Sequence, residues 1–246
     1  MGLGIVLMIV VSFIEYHFWQ KIALPFLLII LFLLVLVFIH GIGINALGAS
    51  RWINFGFFSL QPAELAKLSL VVYLASWFSS KEKGRLLAFL LLLLLIIGLV
   101  MLEPDMGTSV VLGTSAVVLY FLSGAPLYHF MLLIPSALAA IFALITLAPY
   151  RASRLLTFLN QEREPLGASY HIRQTLLALG SGGLTGLGLG KSFQKYAYLP
   201  ESTTDSIFAI IAEELGFIGS VFIICVFLFL IVRAFSIAKN ASDNFG

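Results

Sequence analysis

Long apolar runs separated by short polar clusters set the pattern of this chain. A bilayer core is crossed by roughly 20 mostly apolar helical residues. On that criterion the runs at 1–15, 22–40, 62–79, 85–102, 106–123, 127–148 and 206–233 predict membrane spans. The predicted fold class is all-α, a polytopic integral membrane helix bundle of about seven spans that forms a single domain over 1–246. One polar stretch, 149–205, interrupts the pattern, and within it His171 to Leu179 reads as a short amphipathic helix. The first run has no basic n-region and no small-residue cleavage site, so it is not read as a signal peptide. It is also short, as if the chain opened partway through a membrane domain.

Composition agrees with the pattern. Of 246 residues, 61% are hydrophobic and 11% charged, with 22 Phe and a mean hydropathy of +1.07. A soluble domain carries about 25% charged residues, so a soluble globular protein, a disordered chain and a nucleic-acid binder are excluded. The net charge of +2 matters less than where the charges sit. Lys81, Lys83 and Arg85 in one short loop, Lys21 in another, and Arg233 and Lys239 in the tail fall on one side of an alternating seven-span path. By the positive-inside rule that side is the cytoplasm, which places 149–205 outside as one long extracytoplasmic loop. That loop carries Arg151, Arg154, Arg163, Arg173, Lys191 and Lys195. Such an external basic excess suits an anionic ligand at the outer leaflet, although solvated loop charge and phospholipid contact account for it too.

Ionisable residues inside apolar runs are costly and mark candidate sites. In Gln61-Pro62-Ala63-Glu64-Leu65-Ala66-Lys67, Pro62 suits a first helical turn, and Glu64 complements the helix dipole. Glu64 and Lys67 share a face and can pair, either as a neutralised helix start or as a site. In Glu103-Pro104-Asp105, Pro104 ends one helix and Asp105 can N-cap the next. Asp205, at the end of the basic stretch, has the same capping chemistry, and its place at the outer surface also suits a general base. Glu213 and Glu214 sit about two turns into the last span. They are expected to face the protein interior, where at least one needs a cation, a donor or a proton. Gly216 and Gly219 permit close helix approach.

The glycine-rich stretch Gly180 to Ser192 fits neither a P-loop nor a dinucleotide fingerprint. It reads as a flexible outer loop whose backbone N–H groups can approach a phosphate. The single cysteine, Cys225, lies in an apolar run, and the four histidines show no metal-ligand spacing. No protein metal site is predicted.

In order along the chain stand Arg51-Trp52-Ile53, the Gln61 to Lys67 motif, Glu103-Pro104-Asp105-Met106-Gly107-Thr108, the Gly-Ser-Gly-Gly-Leu loop from Gly180, Gln194-Lys195, Tyr198-Leu199-Pro200-Glu201, Asp205, and Glu213-Glu214-Leu215-Gly216-Phe217-Ile218-Gly219. Each motif is weak alone, but together and in this order they are specific. The chain resembles the FtsW/RodA/SpoVE family of shape, elongation, division and sporulation proteins over nearly its whole length, with wording closer to FtsW and SpoVE than to RodA. The family has ten helices. By resemblance, residue 1 falls in the second, and the chain stops soon after the eighth, so it is a partial domain without the family's Pro-Phe-Ile-Ser-Tyr-Gly-Gly motif. Two local departures stand out. Thr203-Thr204-Asp205-Ser206 replaces the usual His-Thr-Asp-Phe, and Glu103 replaces the Gln of Gln-Pro-Asp.

The resemblance implies a peptidoglycan glycosyltransferase in the bacterial cytoplasmic membrane that polymerises lipid II at the outer face, for cell division or cell shape. Asp205 would be its catalytic base. Arg51, Glu64, Lys67, Asp105, Lys191 and Lys195 would bind substrate. Gln61, Pro62, Glu213, Glu214 and Gly216 would give structural or electrostatic support. A divalent cation at the carboxylates is compatible with this pattern. The implied partners are lipid II, an undecaprenyl-pyrophosphate-linked glycan, a class B penicillin-binding protein acting as transpeptidase, divisome or elongasome proteins, and membrane lipids. Nucleic acid is not among them. A lipid II flippase and a non-catalytic scaffold for the transpeptidase are the alternatives. The external Asp205 discriminates, because a flippase needs no base confined to the outer surface.

Overall fold

A computed structural model describes residues 2–39, 43–46, 49–56, 58–80, 86–147, 170–192 and 206–246. The helices are α1 (Gly2–Ser12), α2 (Tyr16–Leu36), α3 (Pro62–Ser79), α4 (Leu86–Leu102), α5 (Met106–Leu122), α6 (Leu127–Leu147), α7 (Tyr170–Ser181) and α8 (Ile207–Lys239). Among the described residues, α2, α6 and α8 are long and apolar enough to cross a membrane, and α4 and α5 are shorter apolar helices. The helical class stands. A feature not expected from the sequence is a small antiparallel sheet between α2 and α3, with β1 (Gly43–Ala46), β2 (Ala49–Asn54) and β3 (Ser59–Leu60) in the order β1-β2-β3. Gly43 pairs with Ile53 and Ile53 with Leu60, and a bulge lies between Ile44 and Asn45.

The chain forms two compact units, Met1–Leu133 with Ala241–Gly246, and Ile134–Asn240. The first holds a core built from one stripe of each helix. Leu27, Ile30 and Leu34 of α2, Ala63, Ala66, Leu70 and Leu74 of α3, and Leu112, Ala116 and Tyr120 of α5 follow three- and four-residue steps and are buried together. Lipid is as apolar as leucine, so close packing rather than water exclusion drives such contacts. Ala63, Ala66 and Ala116 supply small surfaces where α3 meets α5. At one end of this core Tyr120 stacks on Phe89 with centroids 4.5 Å apart, and its hydroxyl lies 2.7 Å from His129 Nδ1. The outward faces of this unit carry Leu94, Phe121 and Leu132, all exposed, and in the second unit Phe222 and Phe227 are exposed too. An apolar exterior of this extent suits lipid and not water.

In the second unit α7 packs against α8, and α8 is not continuous. At Gly216 the backbone takes φ 69°, ψ −169°, so an apolar run that reads as one span is two helical halves with a break between them.

Candidate functional site

The first polar group gathers around the turn that joins α4 to α5. Arg51 projects from the central strand of the sheet. Its Nε donates to the Glu103 carbonyl oxygen and an Nη donates to that of Pro104, each at 2.8 Å. The guanidinium thus clamps the turn through its backbone. Asp105 follows and caps α5, with Oδ1 accepting from Thr108 N at 3.0 Å and Oδ2 from Thr108 Oγ1 at 2.9 Å. Asp105 is therefore the helix cap that its position predicts.

Glu103, which the sequence marks only as a departure from the family's Gln-Pro-Asp, is given no site role there. It is fully buried, and among the described residues neither carboxyl oxygen has a hydrogen-bond partner. Burial, reinforced by the negative charge of Asp105 and opposed by Arg51, raises its pKa from the usual 4.5 to about 8. The available signal was an acid at the end of an apolar helix, where the resembling family carries an amide. A protonated carboxyl has one donor and one acceptor face, as an amide does. The consequence for stability has a definite sign. Below pH 4.5 the group is protonated whether the chain is folded or unfolded. Between 4.5 and 8 the unfolded chain loses the proton while the folded chain keeps it, so stability falls across that window and levels off above it. Glu103→Gln removes this dependence. At pH 9 the variant is expected to be more stable than the parent by about 3–5 kcal/mol, with the gap closing towards pH 5. Thermal melting of both proteins in detergent across pH 5–9 checks this, and parallel pH profiles would count against a buried neutral acid.

The second group lies at the start of α3. Gln61 holds the N-cap position without a side-chain cap bond, and Pro62 occupies the first turn. Glu64 Oε1 and Lys67 Nζ form an ion pair at 2.7 Å, their side chains 55% and 35% exposed. The pair is the one the spacing predicts, and it is part-exposed rather than enclosed in the core. Among the described residues no ion pair or hydrogen bond joins it to Asp105.

The third group, in the second unit, changes the reading of the glycine-rich stretch. Residues 182–188 dock into the break of α8. Leu187 N donates to Glu213 O at 3.0 Å and Gly188 N to Glu214 O at 3.0 Å. In the other direction Phe217 N donates to Gly183 O at 2.9 Å and Ile218 N to Leu184 O at 3.1 Å. The loop thus satisfies backbone groups that the break leaves without helical partners, which a segment in hydrocarbon requires. Gly186 N and Lys191 N are bonded too, to the carbonyls of Gly182 and Gly188. These N–H groups are occupied by protein, so the flexible phosphate-approaching loop expected from the sequence is replaced by a docked one. Gly216 is the break itself, not merely a site of close helix approach. Glu213, 1% exposed, accepts a hydrogen bond from Ser192 Oγ, and Ser192 is equally buried. Among the described residues, one buried carboxyl oxygen of Glu214 has no hydrogen-bond partner. Lys191 is exposed.

α8 begins at Ile207 with Ser206 in the N-cap position. Asp205 and Lys195 themselves lie outside the described residues, as do Lys81, Lys83, Arg85, Arg151, Arg154, Arg163 and the 194–201 motifs. Among the described residues no three His, Cys, Asp or Glu side chains come together as a metal site. Asp105 is engaged by Thr108, and Arg51 covers the neighbouring carbonyls. Among the described residues this donor set does not fit a divalent cation.

Comparison with known proteins follows the same lines. The chain is 40% identical over 252 residues to Stage V sporulation protein E of Bacillus subtilis, covering all of this chain and 69% of that protein. It is 44% identical over 229 residues to the probable peptidoglycan glycosyltransferase FtsW of Wigglesworthia glossinidia brevipalpis, covering 91% and 59%. Among solved structures, a chain from work titled "Structural coordination of polymerization and crosslinking by a peptidoglycan synthase complex" matches with a TM-score of 0.78 at 28% identity, covering 99% of this chain and 69% of that one. The rod shape determining protein RodA of Thermus thermophilus matches with a TM-score of 0.66 at 29% identity, covering 99% and 65%. The chain thus spans between 59% and 69% of the length of these relatives. Its apolar helices and these likenesses make it a multi-pass membrane protein. The family model for cell cycle proteins matches residues 1–246, and the chain belongs to the FtsW/RodA/SpoVE family.

Proposed function

We propose that this chain works in peptidoglycan polymerisation at the outer face of the bacterial cytoplasmic membrane, as a single transmembrane domain with 149–205 on the outer side. The observation that carries the reading is the 44% identity across nine tenths of the chain to a relative named as a probable peptidoglycan glycosyltransferase. In the reaction, the 4-hydroxyl oxygen of the lipid II sugar attacks the anomeric carbon of the growing glycan. The bond from that carbon to the pyrophosphate oxygen breaks with inversion, and undecaprenyl pyrophosphate leaves. Asp205 takes the hydroxyl proton as general base. Arg51, Lys67, Lys191 and Lys195 supply positive charge for the two pyrophosphates and the leaving group. Glu64 orients Lys67 through their ion pair, and Asp105 holds the start of α5 beside the Arg51 clamp. A class B penicillin-binding protein is the partner that crosslinks the product, within a divisome or elongasome assembly.

The test uses the complete protein, purified with its cognate transpeptidase, incubated with lipid II and resolved on a gel. A ladder of glycan polymer is expected. A flippase would instead move labelled lipid II across vesicle bilayers without polymer, and a scaffold would do neither while still binding the transpeptidase. Either result would displace the transferase reading.

A further inference from the structure

The small sheet between α2 and α3 carries a turn that its register directs back towards the membrane. β1 leaves the end of α2 at Gly43, whose N–H donates to the Ile39 carbonyl at 3.3 Å. β2 runs antiparallel to β1, and Ile53 pairs with Gly43 at the level where β1 begins. β2 therefore carries on past that level, towards the side from which α2 arrives. Asn54 then pairs with Ser59 and Ile53 with Leu60, and α3 starts at Pro62. The β2–β3 turn thus lies beside the end of α2 rather than out in the solvent above it.

That turn is fixed and apolar. The Phe55 N–H donates to the Phe58 carbonyl at 3.0 Å and the Gly56 N–H to Asn54 Oδ1 at 2.8 Å, with Gly56 in the left-handed region at φ 82°. Turns that face water favour Gly, Asn, Asp, Ser and Pro. Here Phe55 and Phe58 stack on each other, centroids 5.2 Å apart, and stay 47% and 59% exposed. Facing water, a fixed turn that holds two large rings off the protein leaves apolar area exposed with no gain. The exposed apolar face of α2 leads to the same end, through Val35, Phe38 and Ile39. With distance from the turn, β2 presents Phe55, then exposed Trp52, then Arg51. Apolar, amphipathic and cationic is the order in which side chains settle across a bilayer interface.

We propose that the Phe55–Phe58 pair is an interfacial anchor that enters the phospholipid leaflet at this end of α2 and α3, with Trp52 at headgroup level. The occupant is lipid rather than a protein partner, because the rings continue the lipid-facing surface of α2 and the turn is directed towards the bilayer. The anchor sets the depth of β2, and with it the height of Arg51, whose guanidinium holds the Glu103 and Pro104 carbonyls. It does not depend on the transferase reading.

The experiment is a spin-label depth measurement on the complete protein in phospholipid vesicles, with every native cysteine, Cys225 included, replaced by serine. A nitroxide is attached at Ser59→Cys, an exposed position beside the pair that leaves both rings in place. Leu94→Cys, exposed on α4, supplies the hydrocarbon reference and free nitroxide the aqueous one. The label at 59 is expected to collide more with oxygen than with a water-soluble nickel chelate, at a depth within about 5–10 Å of the boundary between headgroups and acyl chains. Phe55→Ser combined with Phe58→Ser is expected to raise the nickel collisions several-fold as the label moves into water. Melting should change little, because the two rings stack on each other and not on the core. Aqueous collision values in the parent would overturn the proposal. So would protection from both relaxants, which would mean that protein covers the turn. An unchanged depth in the double variant would overturn it equally, because the helices alone would then set the position.

Discussion

Asp205→Asn is expected to lower polymerisation of lipid II by about two orders of magnitude or more in the complete protein, with folding and transpeptidase binding retained. The substitution keeps the size of the side chain and removes its ability to take a proton. Capping is the alternative explanation for an acid at this position, just before α8 begins at Ile207. Asp205→Ala is expected to match Asp205→Asn in rate, and to melt within a few degrees of the parent, since the loss of a cap adds only about 1 kcal/mol. Initial rates measured on both purified variants, with thermal melting as the folding control, decide between the roles. An Asn variant that polymerises at near the parent rate would remove Asp205 as the base.

Most of the helical framework was legible in the sequence because the apolar runs are long. Runs at 62–79, 85–102, 106–123 and 127–148 predict α3 to α6 to within a residue at each end. α2 begins at Tyr16, six residues earlier than its run suggests. The polar and aromatic residues Tyr16 to Lys21 resemble a turn, yet their side chains find partners outside the hydrocarbon: His17 lies 3.0 Å from Glu15 Oε1 and 2.9 Å from Asp243 Oδ2. α8 runs on past Arg233 to Lys239 for a related reason, since long basic side chains at helix ends can reach the interface. The sheet was not legible because its strands are two to six residues long and leave no mark on a span-length hydropathy pattern.

The site was legible in part, and local chemistry explains the division. Glu64 with Lys67, and Asp105 with Thr108, are three residues apart on one helix, so spacing alone predicts their contacts. Arg51 with the 103–104 carbonyls, and Ser192 with Glu213, join residues 52, 53 and 21 positions apart. No periodicity in one sequence reports such pairs. The break at Gly216 was hidden for the same reason. Apolar residues on both sides of it, Ile207 to Ala212 and Phe217 to Ile224, read as one continuous helical run, and the loop that replaces the missing helical bonds lies some 30 residues earlier.

Gly186→Ala is expected to prevent accumulation of folded protein, while Gly190→Ala in the same loop is tolerated. Both glycines have left-handed backbones, with φ +80° and +76°, so both substitutions carry a conformational penalty of about 1–2 kcal/mol. What lies around them differs. A Cβ on Gly190 would meet nothing within 4 Å, whereas one on Gly186 would overlap the Glu214 carbonyl oxygen and the Gly216 nitrogen. Those atoms are backbone at the break and cannot rotate aside as a flexible side chain would. Relief requires the loop to lift away, breaking the bonds from Leu187 and Gly188 to the Glu213 and Glu214 carbonyls. Each backbone group left unsatisfied away from water costs several kcal/mol. Two such losses with the strain come to roughly 5 kcal/mol or more, comparable with the whole stability of many domains. Gly216→Ala meets the same loop from the other side, at Gly186 N and Leu184 O with φ +69°, and should behave alike. Yield of monodisperse protein in detergent, followed by thermal melting, measures the contrast. If Gly186→Ala and Gly190→Ala melt together a few degrees below the parent, the loop does not dock into the broken helix.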